Sequence, residues 1–171
     1  RIINATIENS LAEDGGGIYW SGHDGYAYNI TATNNTAIED GGALYISGDD
    51  CLINASTFTD NVAGDDGGAI YWKGNNGIID ESSFVHNIGT STGKPSDPST
   101  SKGGTISIIG NNTDIFNSNF SDSLTKNRGN ENTGGAIFIT GDDVDIEGCN
   151  FNNCTAEGAD GGTIYIIGDR T

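Results

Sequence analysis

An octapeptide of the type GGAIYWKG occurs six times in this chain of 171 residues, and it constrains the fold more than any other feature of the sequence. The copies begin at residues 15, 41, 67, 103, 134 and 161. Subtraction of successive starts gives intervals of 26, 26, 36, 31 and 27 residues. Near-constant intervals with loops of variable length are typical of a solenoid, in which each repeat forms one coil.

Alternating apolar residues within each copy indicate a short strand, because the fourth place is always Ile or Leu and the sixth is Trp or Ile. Further apolar residues recur downstream at Ile53, Ile79, Ile115 and Ile146, and then at Phe58, Phe84, Phe120 and Phe151. Strands this short cannot pair within one coil, so each must pair with the same strand of the next coil. We therefore predict a single all-β domain over residues 1–171, a single-stranded parallel β-helix of about six coils, triangular or L-shaped in section. Long loops are expected at 88–102 and 124–133.

The overall composition narrows the possible functions. The net charge of −17 disfavours nucleic acid as a partner, because phosphate binding depends on clustered Lys and Arg. Glycine at 27 positions disfavours a helical bundle. No apolar run approaches the roughly 20 residues of a membrane-spanning helix, so we expect no membrane span in this chain.

Two short motifs carry a resemblance to known proteins. GGAI occurs at 67–70 and 134–137, GGAL occurs at 41–44, and FTDN or FVHN follows at 58–61 and 84–87. These motifs resemble the GGA(I/L/V) and FxxN repeats of polymorphic outer-membrane autotransporter passengers and of methanogen adhesin-like surface proteins. The resemblance implies a right-handed β-helix that is extracellular or at the cell surface and acts in adhesion, without catalysis.

The two ends of the chain match two halves of one coil. Residues 1–14 are similar to the second half of a coil, and residues 161–171 are similar to the first half. Uncapped strand edges recruit further strands. The pattern predicts head-to-tail self-association into a filament, and the alternative is a segment of a longer surface β-helix.

An aromatic row is predicted at the fifth place of the octapeptide. We define it as Tyr19, Tyr45, Tyr71, Phe138 and Tyr165. Strand alternation points these side chains away from the Ile and Trp positions, towards an outer face that could bind glycans or the surface of a host or neighbouring cell. The alternative is that the rings stack on one another under the long loops.

Four of the seven cationic residues lie in or beside the two long loops. This loop patch consists of Lys94, Lys102, Lys126 and Arg128. Loops on a rigid scaffold are common sites of binding specificity, so the patch could bind an acidic glycan. The alternative is a set of solvated charges that offsets the acidic body.

Acidic residues precede three successive Gly-Gly pairs, and Asp14, Asp40 and Asp66 form the column nearest to the glycines. Carboxylates about 4.8 Å apart repel unless a cation bridges them. Calcium is therefore the one candidate cofactor. A hydrated acidic edge without metal is an equally good interpretation.

A polysaccharide-acting lyase or hydrolase is the alternative function, because NTD at 112–114, GDD at 48–50 and 141–143, and GHD at 22–24 resemble fragments of polygalacturonases. Such an enzyme needs facing carboxylates beside a groove. The fragments are scattered over several coils and out of order, which favours a non-enzymatic protein.

Covalent modifications are predicted at two kinds of residue. Cys149 and Cys154 are close enough along the chain for a local disulfide, and three free half-buried thiols are the alternative. Asn-Xaa-Ser/Thr acceptors for glycosylation begin at Asn4, Asn29, Asn34, Asn54, Asn111, Asn119 and Asn153. Asn35, Asn61 and Asn87 are expected to face inward instead, as a stacked amide ladder.

Overall fold

The computed structural model describes residues 1–90, 103–126, 133–158 and 161–170, and their regular structure consists of strands in four parallel sheets of six strands each. Sheet A contains Ile2–Ile3, Tyr26–Tyr28, Leu52–Asn54, Ile78–Asp80, Asp114–Phe116 and Ile146–Glu147. Sheet B contains Thr6–Glu8, Thr31–Thr33, Thr57–Thr59, Ser83–Val85, Asn119–Ser121 and Asn150–Asn152. Sheet C contains Leu11–Ala12, Thr36–Ala37, Val62–Ala63, Ile88–Thr90, Leu124–Lys126 and Thr155–Glu157. Sheet D contains Ile18–Trp20, Leu44–Ile46, Ile70–Trp72, Ile106–Ile108, Ile137–Ile139 and Ile164–Ile166.

Every strand pairs with the equivalent strand one coil away, which confirms the predicted parallel β-helix. Ile70, for example, pairs with Leu44 of the preceding coil and with Ile106 of the following coil. The connection between successive strands of a sheet is a whole coil, and such parallel crossovers are right-handed. We number the coils one to six from the Gly-Gly pairs that begin at 15, 41, 67, 103, 134 and 161.

Four strands per coil is one more than the sequence pattern indicated. Sheets A, B and D correspond to the predicted Ile, Phe and octapeptide positions, whereas sheet C was not predicted. Its inward residues are small, such as Ala37 and Ala63, so the sheet leaves no bulky periodic signal in the sequence. Among the described residues there is no helix that could span a membrane.

The core consists of columns of like residues stacked along the helix axis. Phe58, Phe84 and Phe120 are fully buried, and their rings stack with centroids 5.0 and 4.8 Å apart. This separation is close to the distance between paired strands, so the sheet spacing itself places the rings in contact.

The backbone of the Gly-Gly corner requires glycine, as predicted. Gly41 and Gly67 have φ of 67° and 64°, in the left-handed region that side chains with a β-carbon rarely occupy. A β-carbon on the next residue, Gly42, would overlap with the backbone of coil three. Most residues in the same left-handed region at the other corners are Asn or Asp, for example Asn34 at 53° and Asp50 at 58°.

The predicted amide ladder lies at the corner between sheets B and C. Asn35, Asn61 and Asn87 are completely buried. The Oδ1 atom of Asn87 accepts hydrogen bonds from the backbone N–H of Asn61 at 3.0 Å and from its Nδ2 at 2.9 Å, and Asn61 accepts the equivalent pair from Asn35. The ladder thus supplies partners to buried corner amides that lie outside the sheets.

Candidate interaction surfaces

The aromatic row lies on the outer face of sheet D, as strand alternation predicted. The rings of Tyr19 and Tyr45 are parallel, with centroids 4.7 Å apart, and those of Tyr45 and Tyr71 are 5.1 Å apart. Tyr19 is 57% exposed, whereas Tyr45 and Tyr71 are half-buried. Burial raises the pKa of Tyr45 and Tyr71 above the ordinary value of 10, so both phenols stay neutral.

The row is not continuous, which corrects one part of the prediction. Phe138 is on the expected face and stacks on Tyr165 at 5.8 Å, but its side chain is only 1% exposed. Ser107 interrupts the row in coil four and is also buried. Phe138 is therefore unavailable to a partner, and the accessible row is divided into Tyr19, Tyr45 and Tyr71 at one end and Tyr165 at the other.

The acidic column runs along the corner before the Gly-Gly pairs. An oxygen of Asp14 accepts the backbone N–H of Asp40 at 3.3 Å, and an oxygen of Asp40 accepts that of Asp66 at 3.1 Å. Burial raises the pKa of Asp40 from 3.8 to about 6, the hydrogen bond from Asp66 opposes this shift, and the nearby charges of Asp65, Asp14 and Glu39 add to it. The column therefore acts as a carboxylate version of the amide ladder.

The calcium prediction at Asp14, Asp40 and Asp66 finds no support in this geometry. Within the described ranges, no group of three or more His, Cys, Asp or Glu side chains is arranged to hold a metal ion. Instead, Asp14 and Asp40 each use one carboxylate oxygen to accept a backbone N–H of the next coil.

Of the predicted loop patch, the structure describes one residue. Lys126 ends a strand of sheet C, is exposed, and pairs in register with Thr90 and Glu157 of the neighbouring coils. Lys94, Lys102 and Arg128 lie outside the described residues, so the patch stays a prediction.

Cys149 and Cys154 are free, which contradicts the predicted disulfide. They occupy two different corners, with the strand Asn150–Asn152 between them. Three extended residues span about 10 Å, whereas a disulfide requires Cα atoms within about 7 Å. Each thiol contacts backbone carbonyl groups instead, and burial raises the pKa of Cys149.

The glycosylation acceptors are separated into two groups by their hydrogen bonds. The Nδ2 atoms of Asn29, Asn34, Asn54 and Asn153 donate to side chains of adjacent coils at 2.6 to 3.2 Å. Sugar attachment would replace one of the two hydrogens on each of these nitrogen atoms, so only the other hydrogen could keep the bond. Among the described residues, Asn4, Asn111 and Asn119 are exposed and make no such donation. Four of the acceptors, Asn4, Asn29, Asn34 and Asn153, have positive φ, so the left-handed corner followed by a strand beginning with Thr accounts for their recurrence.

The polygalacturonase-like fragments GHD and GDD all lie at one corner, between sheets D and A, in different coils. An oxygen of Asp49 accepts the backbone N–H of Asn75 at 2.8 Å, and an oxygen of Asp142 accepts that of Asp169 at 2.8 Å. The hydrogen bond from Asn75 lowers the pKa of Asp49. These carboxylates stack along one edge and stabilise the corner, whereas a glycosidase needs two that face each other.

Comparison with known proteins gives one match. The family model for the repeat of the Chlamydia polymorphic membrane proteins matches residues 55–71. This segment supports a repeat of that type. It contains Phe58, Asn61 and the start of an octapeptide, the same residues on which the sequence resemblance depends. The methanogen part of the resemblance is not confirmed, and neither a curated protein nor a solved structure matches the chain.

Proposed function

We propose that the chain is the rigid body of a non-enzymatic cell-surface adhesin or structural subunit, which offers long repetitive faces to glycans or to another cell. The observation that carries this proposal is the match to the polymorphic membrane protein repeat at residues 55–71, within a β-helix whose coils repeat the same residues. A stack of coils with stacked side chains resists bending, and regular faces suit multivalent attachment.

The adhesive role can be tested with beads coated with the protein. We expect the coated beads to attach to whole cells or to immobilised glycans under flow, and beads carrying the heat-unfolded protein to lose this attachment. Exchange of Lys126 for Glu should reduce attachment to acidic glycans if the loop patch contributes. Equal attachment of folded and unfolded protein, or none to any cell or glycan, would contradict an adhesive role.

Head-to-tail self-association is a second part of the proposal. Backbone amides and carbonyls of a β-helix coil can pair with any coil of the same section, so one copy can extend the sheets of another. Electron microscopy with light scattering, in the presence and absence of a calcium chelator, measures this directly. Fibres one β-helix wide are expected. Particles that stay monomeric at high protein concentration would refute filament formation and leave adhesion by single copies.

A further inference from the structure

The outer face of sheet A carries a cluster of large apolar side chains that sequence patterns did not reveal. Tyr26, Leu52 and Ile78 are neighbours in one outward column, because the register pairs them across three coils. Tyr28 belongs to the parallel outward column, next to Asn54. Tyr28 is 39% exposed and Ile78 is 38% exposed, and we call these four apolar residues the sheet A platform. Neighbouring exposed apolar side chains of this kind form a candidate interaction site.

The two tyrosines of the platform are arranged as a pair. Their ring planes differ by 8° and their centroids are 6.1 Å apart, since the residues are two apart on one strand and project from the same side. The guanidinium group of Arg1 lies over the Tyr26 ring at 5.1 Å, which holds that ring in place. Parallel tyrosine rings offer apolar carbon surface with a hydroxyl group at its edge.

A fixed polar group borders the platform. The carboxylate of Asp80 accepts a hydrogen bond from Nδ2 of Asn54 at 3.2 Å and another from Nδ2 of Asn117 at 3.0 Å, so two amides from adjacent coils orient it. Asp80 is half-buried, and each of its oxygens can accept a further hydrogen bond. An oriented acceptor beside an apolar surface needs little reorganisation when a ligand with hydroxyl groups binds.

Charge excludes several classes of ligand. Asp114 and then Asp145 continue the first outward column beyond Ile78. Phe116 and then Glu147 continue the second column beyond Asp80, so the three carboxylates beyond the platform would repel an anionic polymer. A lipid surface would bury Asp80 without giving it a new donor, which is costly. A second copy of this face would bring its own carboxylates against those of the first, which repel. A neutral sugar satisfies both parts of the surface, because its C–H face covers the rings and its hydroxyl groups donate to the carboxylate.

We propose that the sheet A platform, with Asn54 and Asp80, binds a neutral pyranose polymer that lies along the helix axis. Tyr28 and Ile78 contact the apolar faces of its sugar units, and Asp80 accepts hydrogen bonds from their hydroxyl groups. This proposal specifies a ligand class for the proposed adhesive function and does not depend on self-association.

The test is calorimetric titration with cello-, manno- and laminari-oligosaccharides, with oligogalacturonate as the anionic comparison. We expect measurable binding of at least one neutral series, a loss of about tenfold or more in affinity for Tyr28→Ala and for Asp80→Ala, and near-normal affinity for Tyr28→Phe. Leu11→Ala, which removes an exposed apolar side chain of sheet C, is the control that should bind normally. Tyr19→Ala tests whether the aromatic row binds the sugar instead. Melting temperatures establish that each variant is folded.

Three results would overturn the assignment. The first is the absence of binding to every neutral series, and the second is tighter binding of oligogalacturonate. The third is loss of binding in Tyr19→Ala but not in Tyr28→Ala, which would place the glycan site on the aromatic row and leave the adhesive function intact. Failure of adhesion with normal oligosaccharide binding would instead contradict the proposed function alone.

Discussion

In coil three, the indole of Trp72 fills the core at the sixth octapeptide place and Gly77 follows five residues later, whereas coil four has Ile108 and Thr113 at the same places. A β-carbon at Gly77 would overlap with the Trp72 ring, and one at Gly25 would lie 2.7 Å from the ring of Trp20. Coils two, four and five have Ile at the sixth place, and they have Cys51, Thr113 and Val144 where coils one and three have glycine. Trp at the sixth place is therefore accompanied by glycine five residues later, and the smaller Ile is accompanied by a larger residue there.

A second pair differs between the same coils. Coil three has the small Ala69 and the ladder residue Asn87. At the equivalent places, coil four has Thr105 instead of Ala and Ser123 instead of Asn. The hydroxyl groups of Thr105 and Ser123 lie 2.6 Å apart in the core, so the larger Thr fills the space of the missing amide and provides a hydrogen bond. A coil therefore keeps its backbone path when two places that meet in the core change together.

The largest effect on the free energy of unfolding is expected when Gly77 of coil three is replaced by a larger residue like the one in coil four. Gly77→Val should destabilise the protein by about 3 kcal/mol, because its side chain meets the Trp72 ring in a fully packed core. Adding Trp72→Ile should recover most of this loss. Chemical denaturation measures both variants. Cys51→Val in coil two, where the sixth place is Ile46, is the control, with a small expected change. If Trp72→Ile gave no recovery, the two places would not be coupled.

A smaller effect is expected from exchanging the polar pair. Asn87→Ser should cost about 2 kcal/mol, because the backbone N–H of Asn61 loses its buried acceptor. Ala69→Thr in the same molecule should restore part of the stability by supplying the hydroxyl partner found in coil four. A double-mutant cycle at equilibrium measures the coupling, and additive free energies of unfolding would show that the Thr and Ser of coil four are unrelated.

The smallest effect concerns the place before the Gly-Gly pair, which is Asp in coils one to three and the buried Thr133 in coil five. Because the pKa of Asp40 is raised from 3.8 to about 6, the folded protein binds this proton more tightly than the unfolded chain. The resulting stability is complete below the unfolded pKa and is lost as the pH rises through about 6. Asp40→Asn should therefore stabilise the protein by about 1 kcal/mol at mildly alkaline pH. This is less than the full pKa shift would give, because the carboxylate is partly solvated.

Thermal unfolding as a function of pH checks this sign. The advantage of Asp40→Asn should disappear below the unfolded pKa of Asp40, where both side chains are neutral. Asp50→Asn changes an exposed corner carboxylate and is the control. A variant that is less stable than the parent at alkaline pH would show that the charge of Asp40 is satisfied, for instance by a bound cation.

The β-helix could be predicted from the sequence because large apolar residues occupy the core at the same place in successive coils. Ile79 and Phe84 have equivalents in neighbouring coils, and stacking makes each column visible as a repeat. Sheet C escaped prediction because Ala63 is too small to stand out beside the Gly-Gly pair. Its only signal is the branched residue and Ala after the ladder Asn, as in Val62 and Ala63.

The surfaces were harder to predict because the burial of a side chain depends on its neighbours in adjacent coils. Strand alternation placed Phe138 on the correct face and still gave the wrong accessibility. The sheet A platform combines Tyr26, Leu52 and Ile78, which share no residue type, so only the register brings them together. Likewise, corner Asn residues followed by Thr satisfy the glycosylation motif for a conformational reason that the motif alone cannot distinguish.

The hydrogen bonds between coils also determine how the molecule would respond to force. Because they run along the helix axis, tension applied to the two ends would load the coils in series, and the strands would peel apart one coil at a time. Each regular coil of 26 residues would release about 85 Å of extended chain while the remaining coils stay intact. A surface attachment built in this way would lengthen in steps under drag and could re-form on the exposed edge of the next coil when the load falls.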